Sequence, residues 1–157
     1  MLIRPYVPAD LAEITRLFYD TVHAVNAADY TPQQLDVWAT GTVDEDAWNR
    51  SFLAHTTLVA EEDGQIVGFA DMAADGYLDR LYVHRDFQRC GVASALCGRL
   101  EQGCTAPLLT THASITARPF FEKRGWQVVR QHQVLRQGVA LTNFVMEKER
   151  GDLRDRD

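Results

Sequence analysis

Along the first third of the chain, apolar residues recur at helical spacing. Leu11, Ile14, Leu17, Phe18, Val22 and Val25 form one stripe, and Asp10 followed three residues later by Glu13 has the form of a helix-capping pair. Before it, residues 2–6 read as a short strand closed by Pro8. Thr31-Pro32 puts a cap and a helix-compatible proline ahead of Leu35 and Trp38. Asp44 caps a third helix over 45–54 that buries Trp48 and Phe52. From residue 57 the pattern shortens to that of strands. Segments 57–60 and 66–72 flank Asp63-Gly64, a hairpin signal. Asp75-Gly76 turns the chain into a strand over 77–83. A helix over 91–102 and a strand over 108–112 follow. Ser114 then caps a helix that runs to Arg124 and stops at Gly125. A last hairpin, 126–134 and 139–146, turns at Gln137-Gly138. With no repeat and no long linker, these elements predict one α/β domain over 1–148, ending in a charged tail over 149–157.

Composition narrows the class. A chain of 157 residues that is 46% hydrophobic can bury a real core. No apolar run approaches the roughly 20 residues that span a bilayer, and the N-terminus lacks the features of a secretion signal. The expectation is a cytoplasmic protein without a membrane partner. A net charge of −6 argues against nucleic-acid binding, which needs Lys and Arg to displace counterions, and is compatible with cationic partners such as amines. Cys90, Cys97 and Cys104 recur every seven residues. On one helix that separation is about 10 Å, too far for a disulfide or shared metal ligation. Cys97 and Cys104 therefore read as small apolar core residues, and Cys90 as a loop thiol open to reagents. No metal is expected.

The most informative stretch runs from Leu81 to Leu96. A strand enters a short basic loop, and then Gly91, Ala93 and Ser94 open a helix. A helix N-terminus offers unpaired N–H groups and a partial positive charge, and small residues let a phosphate approach it. The dinucleotide pattern GxGxxG is absent, as is the GxxxxGK[ST] phosphate loop. What is present is Gln88-x-x-Gly91-x-Ala93 after Leu81-Tyr82-Val83. This resembles the (Q/R)xxGx(G/A) acyl-CoA signature of the GNAT superfamily of N-acetyltransferases. Downstream, Ala117-Arg118-Pro119-Phe120-Phe121-Glu122-Lys123-Arg124-Gly125-Trp126 is similar to that family's AxxFYEKxGF segment. The element order matches as well, so the resemblance covers nearly the whole chain. Residues 23–30 and 142–148 are similar to those of small bacterial members.

The resemblance implies a mixed, mostly antiparallel sheet splayed at the acyl-CoA site and flanked by helices. It implies an enzyme that moves acetyl from acetyl-CoA to a primary amine of a small molecule or peptide, working as a monomer or homodimer. The N–H groups of Arg89, Cys90, Gly91, Val92, Ala93 and Ser94 would cradle the pyrophosphate. The backbone of Leu81, Tyr82 and Val83 would pair with the pantetheine arm, with Val83 N–H as oxyanion donor. Ser114 stands where the family often has an Asn, and Phe121 and Lys123 would lie near the CoA arm. Phe121 also replaces the tyrosine that commonly protonates the leaving thiolate. Water, or the hydroxyl of Tyr30, Tyr82 or Ser114, is left as the substitute.

For the general base, Asp79 comes first. Simple alternation sets it on one face with Leu81 and Val83, a carboxylate among apolar residues and so primed to take a proton. Otherwise it pairs with a nearby Arg or anchors the amine. His112 is the second candidate, since neutral imidazole suits proton transfer near pH 7. His23, Asp29, Tyr30 and Trp38 come from the part that walls the acceptor pocket in this family, an aromatic and carboxylate lining suited to a cation. The competing reading, which rests on Phe121, is an acyl-CoA-binding sensor with little catalysis.

Overall fold

The computed structural model describes residues 1–150. Seven strands form one sheet in the order β1-β2-β3-β4-β5-β7-β6: β1 Leu2–Pro5, β2 Thr56–Glu62, β3 Gln65–Met72, β4 Tyr77–Val83, β5 Leu108–Ser114, β6 Gln127–Arg136 and β7 Val139–Glu149. Every neighbouring pair is antiparallel except β4–β5. Helices α1 Leu11–Ala24, α2 Pro32–Trp38 and α3 Glu45–Ala54 precede β2, α4 Val92–Gly103 follows β4, and α5 Arg118–Lys123 follows β5.

Alternation along the central strands feeds two cores. On one face, α4 lays Val92, Leu96, Cys97 and Leu100 against Ala70, Met72, Leu78 and Val83. On the other, Ile14, Phe18 and Val22 of α1 meet Phe52, Val59 and Phe69. The predicted hairpins are present, each turning on a left-handed residue before glycine: Asp63 at φ 51 with Gly64 at 81, and Gln137 at φ 50 with Gly138 at 79. Cys97 and Cys104 are buried and Cys90 is exposed. Among the described residues, no helix is long and apolar enough to cross a membrane.

Local chemistry departs from expectation at three places. Asp10 does not cap α1: it is buried, and its carboxylate accepts from Arg4 Nη1 at 2.9 Å, Arg4 Nη2 at 2.8 Å and Val7 N at 2.9 Å, the last closing the short 3-10 turn over Pro8–Asp10. Glu13 reaches across to Ile66 N instead. Ser114 ends β5, and its Oγ accepts from Ala117 N, so it closes a turn ahead of a helix that begins only at Arg118. Finally, β7 runs to Glu149, which pairs with Leu108. The rest of the segment expected as a tail, from 151 on, lies outside the described residues.

Candidate active site

The parallel contact between β4 and β5 lasts for two pairs, Tyr77 with Thr110 and Leu78 with Thr111. Beyond it the strands separate, while β5 stays bonded to β7 through Ser114 and Asn143. On β4 the divergence coincides with a bulge. Met72 faces Leu78 and Asp71 faces Arg80, so Asp79 is an extra residue without a cross-strand partner.

That geometry decides which way the β4 backbone faces. His84 N–H bonds to Val67 O at 2.8 Å. By antiparallel alternation Tyr82 then exchanges bonds with Phe69, and Leu81 and Val83 turn their N–H and C=O groups away from β3 into the splay. The Val83 carbonyl is taken by Gln88 Nε2 at 2.6 Å and Thr21 Oγ1 at 3.3 Å. The outward N–H groups remain for a ligand.

A cleft of about 830 Å³ fills the splay. Leu81, Tyr82 and Val83 form one wall, and His112, Ser114, Phe121 and Lys123 line it from the far side. Gln88, Arg89, Gly91, Val92, Ala93 and Ser94 close one end. Gly91, at φ 85, caps α4 in a left-handed conformation, and Arg89 is left-handed at φ 60. The first helical bond is Ala95 N to Gly91 O, which leaves the N–H groups of Val92, Ala93 and Ser94 without acceptors among the described residues. Cys90 belongs to this loop but does not line the cleft; its thiol turns back to Gln88 O.

A second cleft of about 1220 Å³ lies between α1, the segment 40–46 and β4. The two clefts share Trp38, Asp79, Arg80 and Tyr82. Asp79 therefore stands at their junction, but not as alternation suggested. The bulge resets the pleat, and its carboxylate sits 3.3 Å from Arg80 on the Asp71 side, with its side chain about one-third exposed at 32%. The apolar surroundings expected from Leu81 and Val83 are not there. Tyr82 Oη accepts the Trp38 indole N–H at 3.3 Å, and burial pushes the phenol pKa up to about 12.

Other candidates are placed differently. Tyr30 lines neither cleft; its hydroxyl donates to Thr142 O at 2.6 Å and accepts from Ile115 N at 2.9 Å, so it ties the loop before α2 to β7 and the end of β5. His23 also lies outside both clefts and donates from Nε2 to Ala39 O at 2.8 Å. Asp29 lines the β4–β5 cleft and accepts from Thr116 Oγ1 at 2.8 Å. His112 packs against the rings of Tyr77 and His132 at 5.6 and 5.2 Å. Desolvation lowers its pKa, helped by His132 and Arg130, which favours the neutral ring. Phe121 is 2% exposed and packs on Trp126 at 5.2 Å. Arg80 and its buried partner Asp71 were not singled out from sequence. Opposite charges on neighbouring strands were the available signal, but pairing them requires knowing the bulge.

The comparisons agree with this architecture. A family model described as an acetyltransferase (GNAT) domain matches residues 26–148. The chain is 38% identical over 144 residues to YafP of Escherichia coli K12, named an uncharacterized N-acetyltransferase, covering 92% of this chain and 93% of that one. A crystal structure of a GCN5-related N-acetyltransferase from Rhodopseudomonas palustris is 33% identical, with a TM-score of 0.90 and coverage of 94% of each chain. YncA of Salmonella typhimurium, solved with its cofactor acetyl-CoA, shares the fold at 24% identity and TM-score 0.70, over 95% of this chain and 93% of its own. On its fold, its splayed sheet and these matches, the chain belongs to the GNAT family of acetyltransferases.

Proposed function

We propose that the chain transfers an acetyl group from acetyl-CoA to a primary amine of a small molecule or peptide by direct attack on the thioester. The observation that carries this reading is the outward-facing backbone of Leu81 and Val83 in the same cleft as the open N-terminus of α4. Acetyl-CoA supplies the activated acetyl group. The N–H groups of Gly91 to Ser94 suit its pyrophosphate. The edge of β4 suits the amides of its arm, and Val83 N–H suits the thioester oxygen as negative charge develops there.

The amine enters from the second cleft, across the wall formed by Trp38, Asp79, Arg80 and Tyr82. Asp79 accepts its proton. Tyr82 takes the part of the missing tyrosine: its hydroxyl receives the Trp38 bond yet gives its own proton to no described residue, and with a pKa of about 12 it stays protonated over the working range. Tyr30 is unsuited to that part because its proton is already donated to Thr142 O. Ser114 Oγ is partly engaged by Ala117 N, and His112 is a cleft-lining neutral base of second rank.

The test is thiol release from acetyl-CoA across a panel of primary amines. Wild type turns over at least one amine. Asp79→Asn loses about 100-fold in turnover while binding acetyl-CoA as before. Normal turnover by Asp79→Asn removes Asp79 as base. Tight acetyl-CoA binding with no amine acetylated turns the reading to a binding module without catalysis.

A further inference from the structure

An ion chain centred on the buried Asp71 runs from the end of α3 to the wall between the clefts, with His55 and Arg80 partly exposed. Asp71 on β3 is fully buried, and its Oδ2 accepts from His55 Nδ1 at 2.8 Å and from Arg80 Nη1 at 2.7 Å. The same Arg80 nitrogen donates to Ser51 Oγ at 3.2 Å and to Asp79 Oδ2 at 3.3 Å. The Arg80 guanidinium lies over the rings of Trp48 at 4.7 Å and Phe52 at 4.9 Å. His55, Asp71 and Asp79 hold ligand atoms within 4.8 Å of one another, but the cation already among them is Arg80.

Burying such charges is costly, and apolar residues of similar volume would serve packing as well or better. Burial, helped by the nearby Asp79 charge, raises the Asp71 carboxyl pKa against the pull of Arg80 and His55. Stability therefore does not account for the chain. Its other end does. Asp79 is the bulged residue, without a cross-strand partner, and Arg80 is its one side-chain contact among the described hydrogen bonds. Neither Asp71 nor His55 lines either cleft.

Resting on the reading of Asp79 as base, we propose that Asp71 is a positioning residue. Through Arg80 it holds the Asp79 carboxylate at the junction of the two clefts, and His55 fixes Asp71 from the opposite side. A misplaced base costs rate without loss of cofactor binding.

A double-mutant cycle tests this. Asp71→Asn lowers kcat/KM for the amine about tenfold and leaves the acetyl-CoA Kd unchanged. Asp71→Asn/Asp79→Asn is no slower than Asp79→Asn alone, because the position of an absent carboxylate no longer matters. A purely structural role would instead slow the Asp79→Asn enzyme further. Full turnover by Asp71→Asn, or losses that multiply in the double variant, overturns the proposal. If Asp79→Asn is itself fully active, the base assignment fails first and takes this inference with it; if Asp79→Asn is slow and Asp71→Asn is not, only the inference fails. Should Asp71→Asn not fold, His55→Leu replaces it in the same cycle, since it removes the contact that fixes Asp71 from the opposite side, and His55 lines neither cleft. The same loss, absent on the Asp79→Asn background, is expected; full turnover or multiplying losses again overturn the proposal.

Discussion

At Tyr82 the ring packs edge-on to Phe18 at 5.0 Å, and the hydroxyl, receiving the Trp38 indole, stays protonated by burial. This has a measurable sign. The unfolded phenol titrates near pH 10 and the folded one near 12. The fold therefore favours the protonated form, and the stability it contributes is complete below pH 10 and lost as pH rises through 12. Tyr6, Tyr30 and Tyr77 shift the same way. Urea midpoints should fall between pH 10 and 12, and Tyr82→Phe should flatten part of that fall; an unchanged slope would contradict it. At this scale the loop around Gly91 was legible in sequence because its chemistry is local, as was the missing hydroxyl of Phe121. Tyr30 was not. Its partner, the carbonyl of Thr142, lies 112 residues away, and nothing near Tyr30 announces it. The environment of Asp79 was misread for a related reason, since one bulged residue invalidates a period of two.

Among elements, the fit of α4 onto β3 depends on Gly68. A Cβ there would stand 2.7 Å from Val92 Cγ1, 3.3 Å from Leu96 Cδ1 and 3.3 Å from Tyr82 O. The helix whose N-terminus closes the β4–β5 cleft thus rests on the one residue type that lets it approach. Gly68→Ala should cost about 1–3 kcal/mol through overpacking. It should also weaken acetyl-CoA binding by moving the α4 N-terminus, read by thermal melting and calorimetry. A variant matching wild type in both would show that α4 adjusts freely. Helix stripes, strand alternation and Asp-Gly turns made most elements readable. The start of α5 was not, because Ser114 has the look of a cap and serves a turn.

Across the whole molecule, the two halves of the splayed sheet are tied behind the cleft by Glu101. It is 4% exposed near the end of α4, and its carboxylate takes Arg124 Nη2 at 3.1 Å and Lys148 Nζ at 3.0 Å. The Arg150 guanidinium donates to its carbonyl. One side chain thus joins the helix packed on β2–β4 to β7 and the turn after α5. Glu101→Gln leaves two cations uncompensated and should lower unfolding free energy by about 3 kcal/mol, measured in urea. A loss within error would mean that the clasp is solvated. The strand count could be read from sequence, but the swap that puts β7 inside β6 could not. A hairpin docks by either strand, and only the packing of its side chains against β5 decides which.

The wall between the clefts also sorts their linings by position along the chain. The side proposed for the acceptor is built from residues 12–48, with β4 and Arg136, and the opposite side mostly from residues 78–123. The two stretches are nonetheless coupled, because Thr21, Val25, Asn26, Ala28, Asp29 and Trp38 of the first also line the β4–β5 cleft, and Thr21 donates to the Val83 carbonyl. New selectivity is then a matter of changing the residues that line the acceptor-side cleft alone, above all the segment from Thr40 to Asp46, with those that also touch the β4–β5 cleft left in place.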